Sequence, residues 1–385
     1  MRRQSSYLAL VSLVTLAGTQ ACGSSSSGGS NPDGGISVTG QDGSTAGQDG
    51  SASNPDGGTH ADTGTGTPDT GTSHPDTGTG TPDTGTGTPD TGTGTPDTGT
   101  ASSPIKTVFL IMMENHNWSS IKGSASAPYI NGLLATAAHA ENYFDTPAKV
   151  HPSQPNYIWL EAGNNLGFTA DYATVTSALV QSTTSHLVTE LTAAGVPWHA
   201  YAEGVTAGTC PIATNGTYAP KHVPMLWFSD VVGSTPSTSA ATCIAHVVPY
   251  SQLATDIAAG GAAIGGYNMI VPNLCDDMHN ATGCATSDEV ANGDTWLSTE
   301  VPKIMASPAY TNGGAIFITW DESEGGEFPI GMIVLSSKAK VGYSNTTQYY
   351  HSSMLKTAQE IFKVTPLLGD AANQADLADL FTSFP

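Results

Sequence analysis

Two pairs of oxygen-donor side chains each follow a strongly apolar segment of strand length. Glu114 and Asn115 come directly after the run TVFLIMM, and Asp321 and Glu322 come directly after GAIFITW. Each pair by itself fits a helix cap or a solvated loop as well as it fits a ligand site. Carboxylates brought together would raise one another's pKa unless a cation lay between them. Together the pairs predict a site for Ca²⁺, Mg²⁺ or Mn²⁺, with Zn²⁺ or Fe also open because histidines are nearby in the sequence.

A third group of polar residues lies in the segment HPSQPNY, residues 151–157. Ser153 stands just before a Pro-started helical stretch that continues to Glu161. A serine at a helix N-terminus can act as a nucleophile, because backbone N–H groups and the helix dipole stabilise both its alkoxide and an incoming phosphate. Serine is also a preferred helix N-cap, which is the commoner role. The local sequence leaves both interpretations open, and His151 and Asn156 are candidate substrate-binding residues.

Three further histidines, His222, His279 and His351, complete the set of candidate functional residues. His279 ends the segment DDMH, which lies in the loop between Cys275 and Cys284. A single histidine is more often structural or exposed than functional. As a set, the three can supply metal ligands, donors to phosphate oxygens and the acid for a leaving group. For His222, substrate binding and a plain structural role fit equally.

The apolar segments that precede these residues are typical of strands buried on both faces of a parallel sheet. Further strands are expected over 196–203, 266–272 and 329–336. Helices are expected over 185–194, over 294–306 with Asp294 as an acidic cap, and over 352–362. This alternation predicts a three-layer α/β/α domain with a mostly parallel central sheet. Ligands of such sheets bind beyond the carboxyl ends of the strands, where the two oxygen-donor pairs and His279 fall.

The first 103 residues differ in composition from the rest of the chain. Residues 1–22 read as an export signal, in which two arginines precede an apolar run and small residues lead to Cys22. Residues 23–103 are almost only Gly, Ser, Thr, Asp, Pro and Ala, which predicts a disordered tether. A folded domain is therefore expected over 104–385. A polar tether directly after Cys22 favours a lipid anchor, with a plain cleavable signal as the alternative.

The other four cysteines are even in number, and thiols of an exported protein are oxidised. Two disulfides are therefore expected, with three possible pairings. We favour Cys210–Cys243 and Cys275–Cys284, because each closes an excursion rich in Gly, Thr and Ser. Zinc binding is the competing interpretation, but no C-x-x-C spacing supports it.

The net charge of −22 overstates the acidity of the expected domain. Residues 104–385 carry 23 of the 33 acidic residues and nine of the 11 basic ones, a net charge of −14. No basic patch is visible in the sequence, which argues against nucleic acid as a partner. An acidic enzyme that acts on anionic phosphates has to neutralise them locally, with a metal.

Taken in chain order, these motifs resemble those of the phosphoesterase family, which holds acid phosphatases and bacterial phospholipases C with an alkaline-phosphatase-like fold. The motifs are ENH at 114–116, HPSxPNY at 151–157, DMH at 277–279, GDxWL at 293–297, WDE at 320–322 and His351. The likeness covers nearly all of 104–385. It implies that His279 and His351 stand beside the scissile phosphate. It also implies a metal held by Glu114, Asn115, Asp321, Glu322 and the nucleophile Ser153.

The resemblance implies a phosphate-ester hydrolase. The predicted export signal and Cys22 place it at the outer surface or in the periplasm of a bacterium, held to a membrane only by its N-terminal lipid. Its substrate would be a small phosphate ester or a phospholipid head group. The segment SEGGEF replaces the Gly-rich aromatic loop expected of a phospholipase, and the domain is short, so a phosphomonoesterase is favoured over a phospholipase C-type phosphodiesterase. The sequence lacks the G-x-S-x-G motif of serine esterases, which argues against that class of enzyme. A non-catalytic, metal-dependent surface-binding protein remains a rival.

Overall fold

The computed structural model describes residues 104–259, 263–264 and 266–385. The predicted export signal with Cys22 and the predicted tether over 23–103 lie outside the described residues. Their boundaries, and the start of the folded domain at 104, therefore stay predictions.

A mixed sheet of eight strands forms the centre of the described fold. The strands are β1 (Thr107–Met113), β2 (Ala138–Ala140), β3 (Trp198–Ala202), β4 (Val247–Pro249), β5 (Gly266–Val271), β6 (Gly314–Trp320), β7 (Met332–Ser336) and β8 (Ser344–Asn345). Their order in the sheet is β4-β3-β5-β1-β6-β7-β2-β8. Strand β7 runs antiparallel to both β6 and β2, and every other neighbouring pair is parallel.

Helices cover the sheet on both faces. They are α1 (Trp118–Ile121), α2 (Pro128–Leu133), α3 (Ser153–Ala162), α4 (Leu187–Ala193), α5 (Ser229–Val232), α6 (Ala241–His246), α7 (Ser251–Ala259), α8 (Glu289–Met305), α9 (Pro308–Thr311) and α10 (His351–Phe362). Helices α3, α4 and α10 contact one another, and α2, α7, α8 and α9 form a second connected group. Because β1, β5 and β6 are buried along their whole length, both faces of the sheet are covered. The predicted three-layer α/β/α fold with a mostly parallel sheet is confirmed.

The long apolar strands agree with the sequence prediction, and the short strands were missed. The bounds of β1 and β6 are those predicted, and β3, β5 and β7 lie within the expected segments. Strands β2, β4 and β8 are only two or three residues long. Such short strands are defined by the neighbours they pair with, so no local pattern marks them. Among the described residues, no helix is both long and apolar enough to span a bilayer.

The prediction that Asp294 caps its own helix is wrong. Helix α8 begins at Glu289, and its N-cap is Asp288, whose side chain accepts the Ala291 N–H at 2.9 Å. Asp294 lies inside α8 and accepts the N–H groups of Tyr129 at 3.1 Å and Ile130 at 2.8 Å. These N–H groups belong to the first turn of α2, where an acidic side chain is favourable. Asp294 therefore caps a helix that is distant in sequence.

Both expected disulfides are present. Cys210 and Cys243 are joined with a Cα–Cα distance of 5.4 Å, and Cys275 and Cys284 with 5.1 Å. The second disulfide closes the loop after β5 that carries His279. This loop is therefore held at the carboxyl edge of the sheet.

Candidate active site

The two oxygen-donor pairs meet at one edge of the sheet. Strands β1 and β6 are parallel neighbours, and Met113 at the end of β1 pairs with Trp320 at the end of β6. The side chains that follow each strand are therefore adjacent. Asn115 donates its backbone N–H to Asp321 Oδ1 at 2.9 Å and its side-chain amide to Glu114 Oε2 at 3.0 Å.

Ser153 is the first residue of α3, and its hydroxyl faces the acidic pairs. The Ser153 Oγ donates to Glu114 Oε2 at 3.1 Å. Pro152 occupies the N-cap position, and no side chain caps this helix end. The N-cap interpretation of Ser153 therefore does not describe the structure. The backbone contributes less than expected, because the Gln154 N–H already donates to Asp171 Oδ1 at 2.9 Å and Pro155 has no N–H.

Glu114 is fully buried and surrounded by donors and positive charge. Tyr157 donates its hydroxyl to Glu114 Oε1 at 2.7 Å, and His222 Nε2 lies 3.0 Å from the same oxygen. Burial by itself would raise the pKa of Glu114, but the charges of His222 and Lys221 and these contacts lower it to about 2. Burial would lower the pKa of His222, but Glu114 and Asp277 raise it to about 9. The two residues therefore form a buried ion pair.

The pKa values of Asp321 and Glu322 are raised, whereas that of Glu114 is lowered. Burial, followed by the charges of Glu114 and Glu322, raises the pKa of Asp321 well above its usual range. Burial also raises the pKa of Glu322 to about 7, although His151 partly offsets it. Among the described residues, Asp321 Oδ2 is buried and has no hydrogen-bond partner.

These observations fit a divalent cation at this edge of the sheet. A buried carboxylate oxygen without a donor, among like charges, is the condition that a cation relieves. Glu114 and Asp321 supply buried carboxylate oxygens of the kind that a hard ion prefers, and Asn115 is hydrogen-bonded to both. Ligand atoms of Glu114, His222 and Asp277 also lie within 4.8 Å of one another, so a nitrogen-preferring metal fits as well.

His222 and His351 lie behind this site. His222 is 1% exposed, and its ring stacks on Tyr157 with the centroids 4.9 Å apart. Its two ring nitrogens face carboxylates of the protein, with Nε2 at 3.0 Å from Glu114 Oε1 and Nδ1 at 3.4 Å from Asp277 Oδ2, so the structure favours the structural alternative for His222. His351 is fully buried, with Nε2 at 2.6 Å from the Asp321 carbonyl oxygen and Nδ1 at 3.2 Å from the Tyr143 hydroxyl.

Both ring nitrogens of His351 thus have hydrogen-bond partners within the protein. Because a carbonyl only accepts, Nε2 carries the hydrogen, and Nδ1 accepts from Tyr143. Burial lowers the pKa of His351 to about 4, so the ring is neutral at physiological pH. In the structure the His351 ring supports the backbone of Asp321 from inside the core, and its expected place beside the scissile phosphate stays a prediction.

His279 and His151 line the open side of the site. They border a cleft of about 600 Å³ together with Asn115, Glu289, Glu322, Ser323, Glu324, Gly325, Gly326 and Glu327. The backbone N–H of His279 donates to Asp277 Oδ1 at 2.8 Å. Of the described residues, four glutamates and no lysine or arginine line this cleft, so its rim is acidic.

The Asn156 amide is hydrogen-bonded to other groups of the protein. Its amide donates to Glu322 Oε2 at 3.0 Å and to the Val150 carbonyl at 2.9 Å, and the side chain is buried. The structure thus shows an Asn156 amide that orients Glu322, and substrate binding by this residue stays a prediction.

Sequence reasoning missed three residues of the site. Tyr157 lies four positions after Ser153 on the same face of α3, a spacing that the motif HPSxPNY already displays. Asp277 lies in the motif DMH, but the sequence by itself indicates no role for this residue. Lys221 has no local signal; its Nζ donates to Asp171 Oδ2 at 2.5 Å, and its charge lowers the pKa of Glu114.

The model of the Phosphoesterase family matches residues 124–365, more than half of the chain. The chain belongs to the phosphoesterase family. Its curated relative is the phosphatidylinositol-3-phosphatase of Mycobacterium tuberculosis, which is 31% identical over 277 residues, 71% of this chain and 82% of that protein. This phosphoesterase is accordingly a phosphoric ester hydrolase.

Solved structures also align with the phosphoesterase at low identity. A protein of the alkaline phosphatase superfamily from Vibrio parahaemolyticus is 10% identical, with 74% of this chain and 73% of that chain covered and a TM-score of 0.47. Human ectonucleotide pyrophosphatase/phosphodiesterase 5 is 10% identical, with 72% and 100% covered and a TM-score of 0.47. The family assignment rests on the family model and the curated relative.

Proposed function

We propose that this phosphoesterase is a metal-dependent phosphomonoesterase that uses Ser153 as its nucleophile. The observation that carries the proposal is the Ser153 hydroxyl, which leaves its helix end uncapped and lies 3.1 Å from Glu114 Oε2. It stands at the sheet edge where Asp321 Oδ2 has no partner. The relative named as a phosphatidylinositol-3-phosphatase supports a phosphomonoester over a phosphodiester.

The proposed ligands of the cation are Glu114, Asn115, Ser153, Asp321 and Glu322. When bound, a divalent cation lowers the pKa of a hydroxyl that it contacts and offsets the negative charge of phosphate oxygens. The oxygen donors favour Mg²⁺, Ca²⁺ or Mn²⁺, and the adjoining His222 keeps Zn²⁺ or Fe open.

Three residues carry the steps of the proposed reaction: Ser153, Glu114 and His279. Ser153 Oγ attacks phosphorus in line with the leaving oxygen, its proton passes to water in the open cleft, and the bond to the leaving oxygen breaks. Glu114, whose pKa is about 2, stays charged and orients the hydroxyl. His279 borders the cleft and protonates the leaving oxygen. Water hydrolyses the phosphoseryl intermediate and releases phosphate.

The proposal is tested with three p-nitrophenyl substrates: the phosphate, its choline phosphodiester and the acetate. We expect chelator-sensitive release from the phosphate, restored by a divalent cation and at least about 1,000-fold lower in Ser153→Ala. Phosphatidylinositol 3-phosphate, assayed in the same way, extends the series to a lipid phosphomonoester. Acid quenching with ³²P-labelled substrate is expected to leave label on the wild-type chain and none on Ser153→Ala.

Ser120→Ala is the matched control, because Ser120 also lies in a short helix but donates to the Asn117 carbonyl on the surface. It is expected to keep full activity. Acetate hydrolysis that survives chelation would identify a serine esterase. Preference for the choline diester would favour a phosphodiesterase, and inactivity on every substrate would leave the surface-binding protein.

A further inference from the structure

We propose that the phosphoesterase holds a second divalent cation, at a site formed by Asp145, His151 and Glu327. His151 Nε2 lies 3.1 Å from Glu327 Oε1 and 4.0 Å from Asp145 Oδ2. Ligand atoms of all three residues lie within 4.8 Å of one another. Two ligand atoms that are each about 2.0–2.2 Å from one ion lie roughly 3–4 Å apart. The 4.0 Å separation suits such a pair and is too long for a hydrogen bond.

Asp145 supplies an observation that is independent of the cluster. Its side chain is 3% exposed, and its Oδ1 accepts the Thr146 N–H at 2.6 Å. Its Oδ2 is buried and faces the imidazole of His151, and it has no hydrogen-bond partner within the part of the chain that the structure describes. A buried acceptor without a donor is unfavourable, and a cation between these atoms would satisfy it.

Glu322 sets His151 in the tautomer that a metal requires. His151 Nδ1 lies 2.6 Å from Glu322 Oε2. A carboxylate accepts, so Nδ1 donates to Glu322. With a cation bound, the lone pair of Nε2 would face the cation, whereas without one Nε2 lies 3.1 Å from Glu327 Oε1 and can donate to it. Histidine ligands commonly donate their other ring N–H to a carboxylate in this way. One imidazole ring therefore connects the two candidate cation sites.

The segment after Glu322 brings Glu327 over His151. Gly325 and Gly326 have φ values of +73° and +149°, which side-chain-bearing residues rarely adopt. A Cβ on Gly326 would lie 2.9 Å from the ring of Phe328, and Ser323 Oγ donates to the Gly326 carbonyl. This compact turn explains the SEGGEF sequence, which departs from the loop expected of a phospholipase.

The donor set identifies the class of ion. One imidazole nitrogen and two carboxylates suit Mn²⁺, Fe²⁺ or Zn²⁺ better than Ca²⁺. His151 and Glu327 border the cleft, so the ion would be reached from solvent. A cation there would offset the acidic rim toward an anionic substrate.

The test counts ions rather than activity. The whole chain is stripped with chelator and titrated with Mn²⁺ and, separately, Zn²⁺ by calorimetry, and the metal retained after desalting is measured. We expect two equivalents for the wild type and one each for Asp145→Asn, Glu327→Gln and Asp321→Asn. Asp321→Asn combined with Glu327→Gln is expected to retain none. Glu324→Gln is the matched control on the same turn and is expected to bind two.

One equivalent in the wild type, unchanged by Glu327→Gln, would overturn the proposal and make protonated His151 the cation among these carboxylates. Second-site binding only at millimolar metal would overturn it equally. Glu327 is partly exposed, so Glu327→Gln remains informative if Asp145→Asn fails to fold. The two sites are separable: a single ion lost in Glu327→Gln but kept in Asp321→Asn supports the second site and refutes the first.

Discussion

A single buried carboxylate organises the proposed nucleophile. Glu114 accepts the hydroxyls of Ser153 and Tyr157 and the amide of Asn115, and His222 lies beside it. Charge-assisted hydrogen bonds are roughly twice as strong as neutral ones. Together these partners keep Glu114 ionised and its two oxygens in fixed positions, which is what a metal ligand requires.

Removing the Tyr157 hydroxyl tests this arrangement. Tyr157→Phe keeps the ring that stacks on His222 but deletes the 2.7 Å bond to Glu114. We expect the affinity for the activating cation to fall about 10–100-fold, because partners of a ligand orient it. Calorimetric titration with Mn²⁺ measures the change. Tyr218→Phe is the control, since its hydroxyl donates to the Pro211 carbonyl away from the site, and equal affinities in both variants would refute the assignment.

His351 is expected to act by position and not by proton transfer. The pKa of about 4 keeps the ring neutral above pH 5, so it adds no ionisation to the pH profile near neutrality. We expect His351→Ala to lower kcat and cation affinity together while the shape of the profile is unchanged. His351→Gln should recover part of both, because an amide can still donate to the Asp321 carbonyl. Loss of one limb of the profile would instead identify His351 as an acid or base.

The residues of the site come from four elements: the carboxyl ends of β1 and β6, the first turn of α3 and the loop after β5. The loop has no regular structure of its own, but the Asp277 carbonyl accepts the Glu114 N–H at 2.7 Å. The Cys275–Cys284 disulfide closes this loop across nine positions. The geometry of the site therefore depends on a covalent link outside the sheet.

The two disulfides are expected to have different effects on activity. Replacing a cysteine pair by serine should lower the unfolding free energy through the loss of loop closure, by about 2.5 kcal/mol for Cys275/Cys284 and about 4 kcal/mol for Cys210/Cys243. Only the Cys275/Cys284 variant should also lower kcat and cation affinity, because Asp277 and His279 lie in that loop. Chemical denaturation and steady-state kinetics on both variants measure this. Equal kinetics would show that the loop is held without its disulfide.

A buried histidine joins three helices on one side of the fold. His186 precedes α4, with Nδ1 at 2.9 Å from Glu161 of α3 and Nε2 at 3.1 Å from Asp230 of α5. Burial would lower the pKa of His186, but hydrogen bonds to Asp230 and Glu161 raise it to about 9. The charged ring therefore stabilises the fold fully below the unfolded pKa of about 6.5, and this contribution is lost as pH rises through about 9.

The unfolding free energy should reflect this titration. Between pH 6 and pH 9.5 we expect the wild type to lose on the order of 1–3 kcal/mol more than His186→Asn does. Urea denaturation at both pH values measures the two differences, and the comparison cancels the titration of other groups such as His222. A pH slope identical in the two proteins would show that His186 is neutral in the fold.

At the scale of the whole molecule, the chemistry and the predicted membrane attachment lie in different parts of the chain. All proposed functional residues fall within 104–385, whereas the predicted lipid anchor is Cys22. An acidic domain of net charge −14 has no electrostatic attraction to an anionic membrane, so attachment would depend on the lipid.

Cys22→Ser tests the anchor in an exporting bacterial host. We expect the wild type in the membrane fraction and the variant in the soluble exported fraction, with the specific activity of the enzyme unchanged. Ser24→Ala, two positions away, is the control and should stay with the membrane. A Cys22→Ser protein that remains in the membrane fraction would contradict lipidation at this residue.

Much of the fold could be predicted because its longest strands are apolar throughout. The runs that became β1 and β6 are buried on both faces, and the residues that end them necessarily share an edge once the strands pair in parallel. The two disulfides followed from their position in small-residue loops. Helix α8 was placed less well, because Asp294 resembles an N-cap in sequence while its hydrogen bonds go to α2.

The sequence by itself determined the family, the sheet and the set of residues that carry the chemistry, because apolar runs and ordered motifs are local properties of a chain. Tertiary structure alone decided which of those residues face the cleft. It turned Ser153 toward Glu114, enclosed His222 and His351 behind the site, assigned Asn156 to Glu322 and placed Glu327 over His151. The physical reason is that burial and hydrogen-bond partners are set by residues far away in sequence, whose positions exist only after the sheet has formed.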